Sequence, residues 1–369
     1  MSMSSATPVA TQKYAEKFPA FLKAGHYRDF NGLQVSSLGL GTYLGNQNEA
    51  DDRLYIEAIE EALLSGINLI DTAINYRCMR SERNIGAALK KLITEGKIKR
   101  EEVVICTKGG FIPFDGEPPR DPGAYFQEQY FAAGICEPKD IVAGCHCMTP
   151  SYLRNQVERS LKNLSLDSID LYHVHNPEMQ LDEIARDEFL LRLEQAFREL
   201  EKLTAEGKIK SYGTATWNGY RARPNDQDYL SLQDVLRTAE KAGGNRHHFK
   251  AIQLPYNLGM TEAYGIPNQL DGDRRAPLLE TALKNRLGVF TSASILQSKL
   301  SRNLPAIVNE NFPGLSTDAQ RAIQFVRSTP GVTAALVGMK RKEHVKENLA
   351  VAETSIVPEE NIARLFSAG

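Results

Sequence analysis

From Ser36 to Val351 the chain alternates extended and helical signals eight times, and this regularity limits the fold more than any other feature. "SSLGLGT" leads to an amphipathic stretch over 51–65, which Gly66 stops. "INLIDT" leads to a helix over 81–94 stopped by Gly96, and "EVVICTK" to one over 151–164 introduced by Pro150. "SIDLYHVHNP" precedes a helix over 187–205 stopped by Gly207. "IKSYGTAT", "KAIQLPY", "GVFTSAS" and "TAALVG" are each followed by a helical stretch, over 230–241, 277–285, 317–328 and 341–351. Such alternation implies a parallel sheet with crossover helices. Eight units in 369 residues imply an α/β fold closed as a (β/α)8 TIM barrel. Ahead of the first unit, "YRDFNGLQVSS" predicts a β-hairpin turning at Asn31-Gly32. "EGKIK" occurs at 95–99 and again at 206–210, a recurring helix stop with glycine in the left-handed position.

The predicted organisation is a polar N-terminal arm over 1–26 and a single barrel domain over 27–369. One connection, over 109–150, is far too long for a simple turn, and such loops are usually functional. It follows the third barrel strand, on the face where barrel enzymes keep their active sites. Its aromatics Tyr125, Phe126, Tyr130 and Phe131 either cover a substrate or pack as a hairpin on the rim.

Net charge is −2, which gives no reason to expect nucleic acid or an anionic membrane as a partner. No run reaches the roughly 18 apolar residues of a membrane span. The opening "MSMSSATPVATQKYAEKF" lacks the basic-then-apolar pattern of a secretory signal, so a cytoplasmic setting is expected. Five cysteines, an odd number at spacings that suit no disulfide framework, agree with a reducing compartment. "CHC" at 145–147 invites a metal reading, but zinc would need a second ligand pair, and only Cys136 lies near. The motif is therefore read as ordinary thiols in the inserted loop, with no metal site.

The strand ends carry the chemistry. The second barrel strand ends on Asp71, the third on Lys108 and the fourth on His175, with Tyr76 in the loop after the second. Alternation puts Leu69 with Asp71, Cys106 with Lys108, and His173 with His175 on common faces. If those faces point inward, an acid, a lysine, a phenol and an imidazole meet on one rim. His173 lies a layer deeper and is expected to be a hydrogen-bonded interior residue.

These segments, in this order, resemble the aldo-keto reductase superfamily over about residues 27–351. "DTAINYRCMRSE" is similar to its Asp-Thr-Ala, Tyr and Ser-Glu segment. "ICTK" resembles its lysine strand, "DLYHVHNPE" its histidine segment, "IQLPYNL" its Gln…Tyr-Asn segment and "ALVGMKRKEHVKENL" its cofactor-phosphate segment. The resemblance implies a catalytic tetrad of Asp71, Tyr76, Lys108 and His175. Hydride passes from a reduced nicotinamide to a carbonyl carbon, and Tyr76 supplies the proton. Lys108 is expected to lower the tyrosine pKa from about 10. Asp71 holds Lys108 charged, and neutral His175 orients the carbonyl.

No G-x-G-x-x-G opens a helix after a strand, which disfavours a Rossmann site. The resemblance instead lays NADP(H), in preference to NAD(H), across the barrel rim. Gln253 and Thr216 are expected near the carboxamide, and Gly41, Thr42, Ser292, Ser294 and Gln297 along the cofactor. Gly338, Met339, Lys340, His344, Glu347 and Asn348 match the adenosine-phosphate end. The cations of "GMKRKEH" at a helix N-terminus suit a phosphate.

Three departures stand out. Ala215-Thr216 replaces a Ser-Asn pair. Ala293 replaces an aromatic that stacks on the nicotinamide, leaving Trp217 or Tyr256 to cover that face. Arg77-Cys78-Met79-Arg80 replaces small residues, and its arginines either bind an acidic substrate or pair with carboxylates. The expected function is NADPH-dependent reduction of an aldehyde or ketone, a small-molecule substrate. The alternative is a cofactor-binding accessory or sensor protein of the same fold. A metal-dependent hydrolase is disfavoured because one His, one Asp and a Lys make poor ligands.

Overall fold

The computed structural model describes residues 5–367. Strands β1 (Tyr27–Phe30) and β2 (Leu33–Ser36) form the antiparallel hairpin, and Asn31 and Gly32 both take positive φ, as a two-residue primed turn requires. The barrel strands are β3 (Leu38–Gly41), β4 (Leu69–Asp71), β5 (Val104–Gly109), β6 (Ile169–His175), β7 (Ile209–Ala215) and β8 (Phe249–Pro255). A small outer hairpin, β9 (Gln269–Asp271) and β10 (Arg274–Ala276), precedes β11 (Gly288–Ser292) and β12 (Ala334–Gly338). All eight barrel strands pair in parallel, and β12 closes on β3.

Alternation along the strands sorts the side chains as expected. Leu69, Val104, Cys106, Leu171, Ala251, Phe290 and Leu336 fill the interior. Ile70, Ile105, Val174, Ile252, Val289 and Val337 face outward into the layer covered by helices. Phe30 and Val35 of the hairpin join the interior cluster and plug the bottom of the barrel; the Phe30 ring lies edge-on to Phe290 at 5.1 Å. Each strand is followed by a crossover helix, and "EGKIK" ends two of them. Gly96 and Gly207 are left-handed, and the next N–H in each case reaches back five residues (Lys97 to Leu92 O, 2.9 Å; Lys208 to Leu203 O, 3.0 Å).

The arm departs from its polar reading. Residues 1–4 of it, and 368–369 of the barrel range, lie outside the described residues. The rest forms helices Pro8–Glu16 and Pro19–Lys23, docked on the barrel. Tyr14, Phe18 and Phe21 recur at helical spacing and pack together with Tyr27, and the buried Tyr14 hydroxyl donates to Leu63 O at 2.7 Å. Composition hid this period among small polar residues. Among the described residues no helix is long and apolar enough to cross a membrane.

The insertion builds a small core of its own. Ile112, Tyr130, Cys136 and Cys147 pack on Tyr152 of the following helix, with Tyr125, Phe126 and Phe131 around them. Its four aromatics therefore pack on the rim and on one another; the insertion reaches the central cleft through Phe111.

Candidate active site

Parallel pairing levels the C-terminal strand ends. Gly41 is in register with Asp71 and Gly338, Lys108 with His173, and Ala215 with both His175 and Gln253. The inward positions of this rim bring the four predicted side chains together. Lys108 Nζ lies 2.7 Å from Asp71 Oδ2 and also donates to Thr72 O at 2.7 Å. The ammonium is 5.1 Å from the centre of the Tyr76 ring. Tyr76 meets His175 edge-on, ring centres 5.9 Å apart, and Phe111 meets His175 edge-on at 4.9 Å.

Burial dominates the electrostatics. It pushes the Tyr76 phenol up; Lys108 pulls it down, Asp71 pushes it up again, and the net direction is upward. The expected lowering of this tyrosine is thus reversed, because desolvation of a phenolate outweighs the lysine's attraction. Burial also disfavours the Lys108 charge, but Asp71 and Tyr76 more than compensate and its pKa rises. His175 is held well below the ordinary imidazole range by burial, then by Lys108, His146 and His173, so it is neutral at neutral pH. His173 is buried and neutral for the same first two reasons. It is not the hydrogen-bonded residue expected: neither ring nitrogen has a partner among the described residues.

Two supports were not legible in sequence. His146, the middle of "CHC", is buried, with Nε2 2.7 Å from His175 O and Nδ1 2.9 Å from Gln180 Nε2. Gln180 can only donate through Nε2, so His146 carries its proton on Nε2 and donates to the His175 carbonyl. The insertion thereby clamps the histidine strand end. Glu178, buried after β6, accepts from the N–H groups of Trp217, Asn218 and Gly219 through one oxygen (2.6, 3.1 and 3.4 Å). Burial pushes its carboxyl up to about 7. Both act across the chain through backbone contacts, which leave no spacing signal.

A cavity of about 550 Å³ opens over the rim, walled by Tyr43, Tyr76, Phe111, Trp217 and Ile295. Among the predicted cofactor residues, Gly41, Thr42, Thr216, Gln253, Ser292, Ser294, Gln297 and Gly338 line it. Met339, Lys340, His344, Glu347 and Asn348 lie beyond its Gly338 edge. Met339 and Asn348 are buried, His344 and Glu347 exposed, and Lys340 is paired with both oxygens of Asp51 at 3.0 Å. Gln253 Nε2 donates to Asp71 Oδ1 at 2.9 Å, tying this residue to the tetrad's acid. Of the two candidates for covering the ring face, Trp217 stands on the cavity wall. Tyr256 is fully buried, stacked on Phe325 outside the barrel, because the alternation that puts Gln253 inside puts Tyr256 elsewhere.

The arginines after Tyr76 are spoken for. Arg77 donates to Asp52 Oδ1 (2.7 Å) and Asn46 O (3.0 Å), and Arg80 to Asp52 Oδ2 (2.5 Å) and Gly116 O (2.7 Å). Asn84 binds the same carboxylate at 2.9 Å. Arg77, Cys78 and Met79 are all left-handed, a run that costs energy and that this partly buried network holds in place. No lysine or arginine is among the residues lining the cavity. Arg80→Ala is therefore expected to leave the ratio of KM values for an acidic and a neutral aldehyde unchanged. A selective rise for the acidic one would show that Arg80 meets substrate. Among the described residues no group of three or more His, Cys, Asp or Glu is placed to hold a metal.

Fold and rim together define a (β/α)8-barrel protein with a buried lysine–carboxylate pair, a phenol and a neutral imidazole at the mouth of a cleft. A family model described as "Aldo/keto reductase family" matches residues 37–223, half of the chain. The chain belongs to the aldo/keto reductase family, and is an oxidoreductase by that membership. It is 25% identical over 350 residues to the uncharacterized oxidoreductase YqkF of Bacillus subtilis (strain 168), covering 91% of this chain and 93% of that protein. It is 30% identical over 188 residues to the NADH-specific methylglyoxal reductase of Escherichia coli (strain K12), 50% of this chain and 49% of the relative. An aldo/keto reductase from Klebsiella pneumoniae, crystallised with NADP and acetate, superposes with a TM-score of 0.60 at 23% identity, over 93% of this chain and 94% of that one.

Proposed function

We propose that this protein reduces an aldehyde or ketone to an alcohol with NADPH, Tyr76 acting as proton donor. The observation that carries the reading is the Lys108–Asp71 pair, buried directly beside the Tyr76 ring, with Asp71 and Tyr76 on the cleft wall and Lys108 behind them. Two buried polar atoms of the lining, His175 Nδ1 and Asn75 Oδ1, have no partner among the described residues, which fits a site that receives a polar ligand. The bound nicotinamide supplies the hydride. Carbonyl reduction then places growing negative charge on oxygen, which needs a donor and a proton. Tyr76, protonated throughout the neutral range because its pKa is raised, gives that proton. Lys108 offsets the phenolate that remains, Asp71 keeps Lys108 charged, and neutral His175 donates to and orients the carbonyl. Phe111, Tyr43 and Trp217 shield the reacting groups from water.

Thr216, Gln253, Ser292, Ser294 and Gln297 line the nicotinamide end, and Lys340 with the following helix takes the adenosine phosphate. The crystallised relative with NADP supports NADPH, whereas the relative named NADH-specific supports the other cofactor. Lys340 decides between them. A phosphate there replaces Asp51 as its partner, so Lys340→Met should weaken NADPH by about tenfold or more, since a charge-assisted hydrogen bond contributes ~1.5–3 kcal/mol. NADH should be little affected, and equal weakening of both would sink the assignment. The setting is read as cytoplasmic, which five unbridged thiols support.

The direct test is loss of reduced-nicotinamide absorbance with purified protein and a panel of neutral aldehydes and ketones. Turnover is expected. Tight NADPH binding with no turnover on any carbonyl would instead identify a cofactor sensor.

A further inference from the structure

We propose that His146 is a positioning residue for the reaction: the proton on its Nε2, kept there by Gln180 and Arg192, fixes the His175 end of β6 at the cleft. The inference rests on the reading of His175 as the group that orients the substrate carbonyl. The bonds run in one direction. Arg192, in the helix Arg186–Ala205, is held by Glu188 one turn earlier (Nε to Oε1, 2.9 Å) and donates from Nη1 to Gln180 Oε1 at 3.0 Å. A guanidinium only donates, so the amide oxygen of Gln180 faces Arg192 and its NH2 faces His146. That amide donates to His146 Nδ1 at 2.9 Å, which leaves the His146 proton on Nε2, 2.7 Å from His175 O. Gln180 and His146 are fully buried, so bulk water does not replace a misdirected bond. The opposite tautomer would set an N–H against the Gln180 N–H and a lone pair against the His175 oxygen.

The backbone is built around this bond. Gly110 has a φ of +148°, and a Cβ there would lie 2.8 Å from both His146 Nε2 and His175 O. A side chain at that position would push the two apart. Phe111 pairs with His146 in an antiparallel bridge, and its ring lies edge-on to His146 at 5.5 Å and to His175 at 4.9 Å. Two further bonds flank the bridge, Ile112 N–H to Cys145 O (2.8 Å) and Cys147 N–H to Gly110 O (2.9 Å). Ala143 N–H donates to Glu183 Oε1 at 2.7 Å, a second tie between the insertion and the segment after β6. His175 Nδ1 has no partner among the described residues, so that ring is placed by its backbone and its edge contacts.

The titratable groups around His146 are His175 of β6, Arg192 and Glu188 of the helix, Glu183 at Ala143 N–H, and its chain neighbours Cys145 and Cys147. Burial lowers the His146 pKa to about 4, so the ring is neutral at neutral pH and its single proton must choose a nitrogen.

The test uses the whole protein with 15N-labelled histidine. NMR reads the His146 ring nitrogens, alongside kcat and KM for one neutral aldehyde. The wild type should carry a proton on Nε2 and none on Nδ1, with a flat kcat across the neutral range. In Gln180→Glu the new carboxylate accepts from Nδ1. Where the ring is neutral, its Nε2 is then bare and the clamp is lost; where it is an imidazolium, both nitrogens donate. The variant's kcat should therefore fall by about 10–10²-fold as pH rises through the His146 titration read in the same sample, with KM little changed. A ring that stays imidazolium throughout should keep the wild-type kcat. His146→Leu, which has no donor, should show the low kcat at every pH. A proton on Nδ1 in the wild type, or a kcat that ignores loss of the Nε2 proton, would overturn the proposal. So would a low kcat with the imidazolium intact. The wild-type spectrum decides the tautomer even if a variant does not fold. Absence of wild-type turnover on every carbonyl would instead sink the reading of the reaction and leave the tautomer result standing.

Discussion

Tyr76→Phe is expected to lower kcat for carbonyl reduction by about 10²–10⁴-fold, the usual contribution of a positioned general acid. The ring keeps its edge contacts with Tyr43 and His175, so the NADPH dissociation constant should stay near that of the wild type. Steady-state rates and a fluorescence titration measure the two quantities. A variant with both values intact would remove Tyr76 from the chemistry. The pH profile gives a second readout. Because the phenol is raised above its ordinary value, the donor stays protonated through neutrality and the wild-type rate should fall only well into the alkaline range. His175, held well below the usual imidazole range, should add no limb near neutral pH.

Lys108→Met should cost stability as well as activity. Asp71 is 5% exposed, and without Lys108 its carboxylate retains, among the described residues, only the Gln253 amide as a side-chain partner. Breaking a buried ion pair in this way costs roughly 3–5 kcal/mol, readable as a shift in the urea midpoint. The double variant Asp71→Asn with Lys108→Met removes both charges. It should recover much of the stability and none of the turnover. A single variant as stable as the wild type would mean the pair is solvated and is not the electrostatic core described here. The sign of the pH dependence follows from the raised Lys108 pKa. The lysine's contribution is fully present below its unfolded value of about 10.4 and is lost as pH rises through the higher folded value. The variant should therefore approach the wild type only on the alkaline side.

The two hydrogen bonds that Arg77 and Arg80 donate to a carboxylate show how close sequence came and where it stopped. "RCMR" was visible as a departure, and pairing with carboxylates was one of its two readings. That the partner is the single, partly buried Asp52, and that three consecutive residues adopt left-handed backbone to reach it, depends on a helix some 25 residues earlier in the chain. Gln253 behaves similarly. Its place on the rim follows from strand alternation, whereas its bond to Asp71, 182 residues away, exists only once β4 and β8 converge.

Local pattern alone determined the hairpin at Asn31-Gly32, the eight strand–helix units, their glycine stops, and which strand residues face inward. Each of these depends on propensity or periodicity within a few residues. It also placed Asp71, Tyr76, Lys108 and His175 at one rim, because closing a parallel barrel levels the ends of its strands. Tertiary structure decided what distance and burial control. It set the upward shift of Tyr76, where desolvation outweighs the lysine. It buried Tyr256 away from the cleft and left Trp217 on its wall. It turned the "CHC" histidine into a clamp on the His175 carbonyl. Such effects arise from the low-dielectric interior and from partners distant in sequence, and neither exists until the barrel has closed.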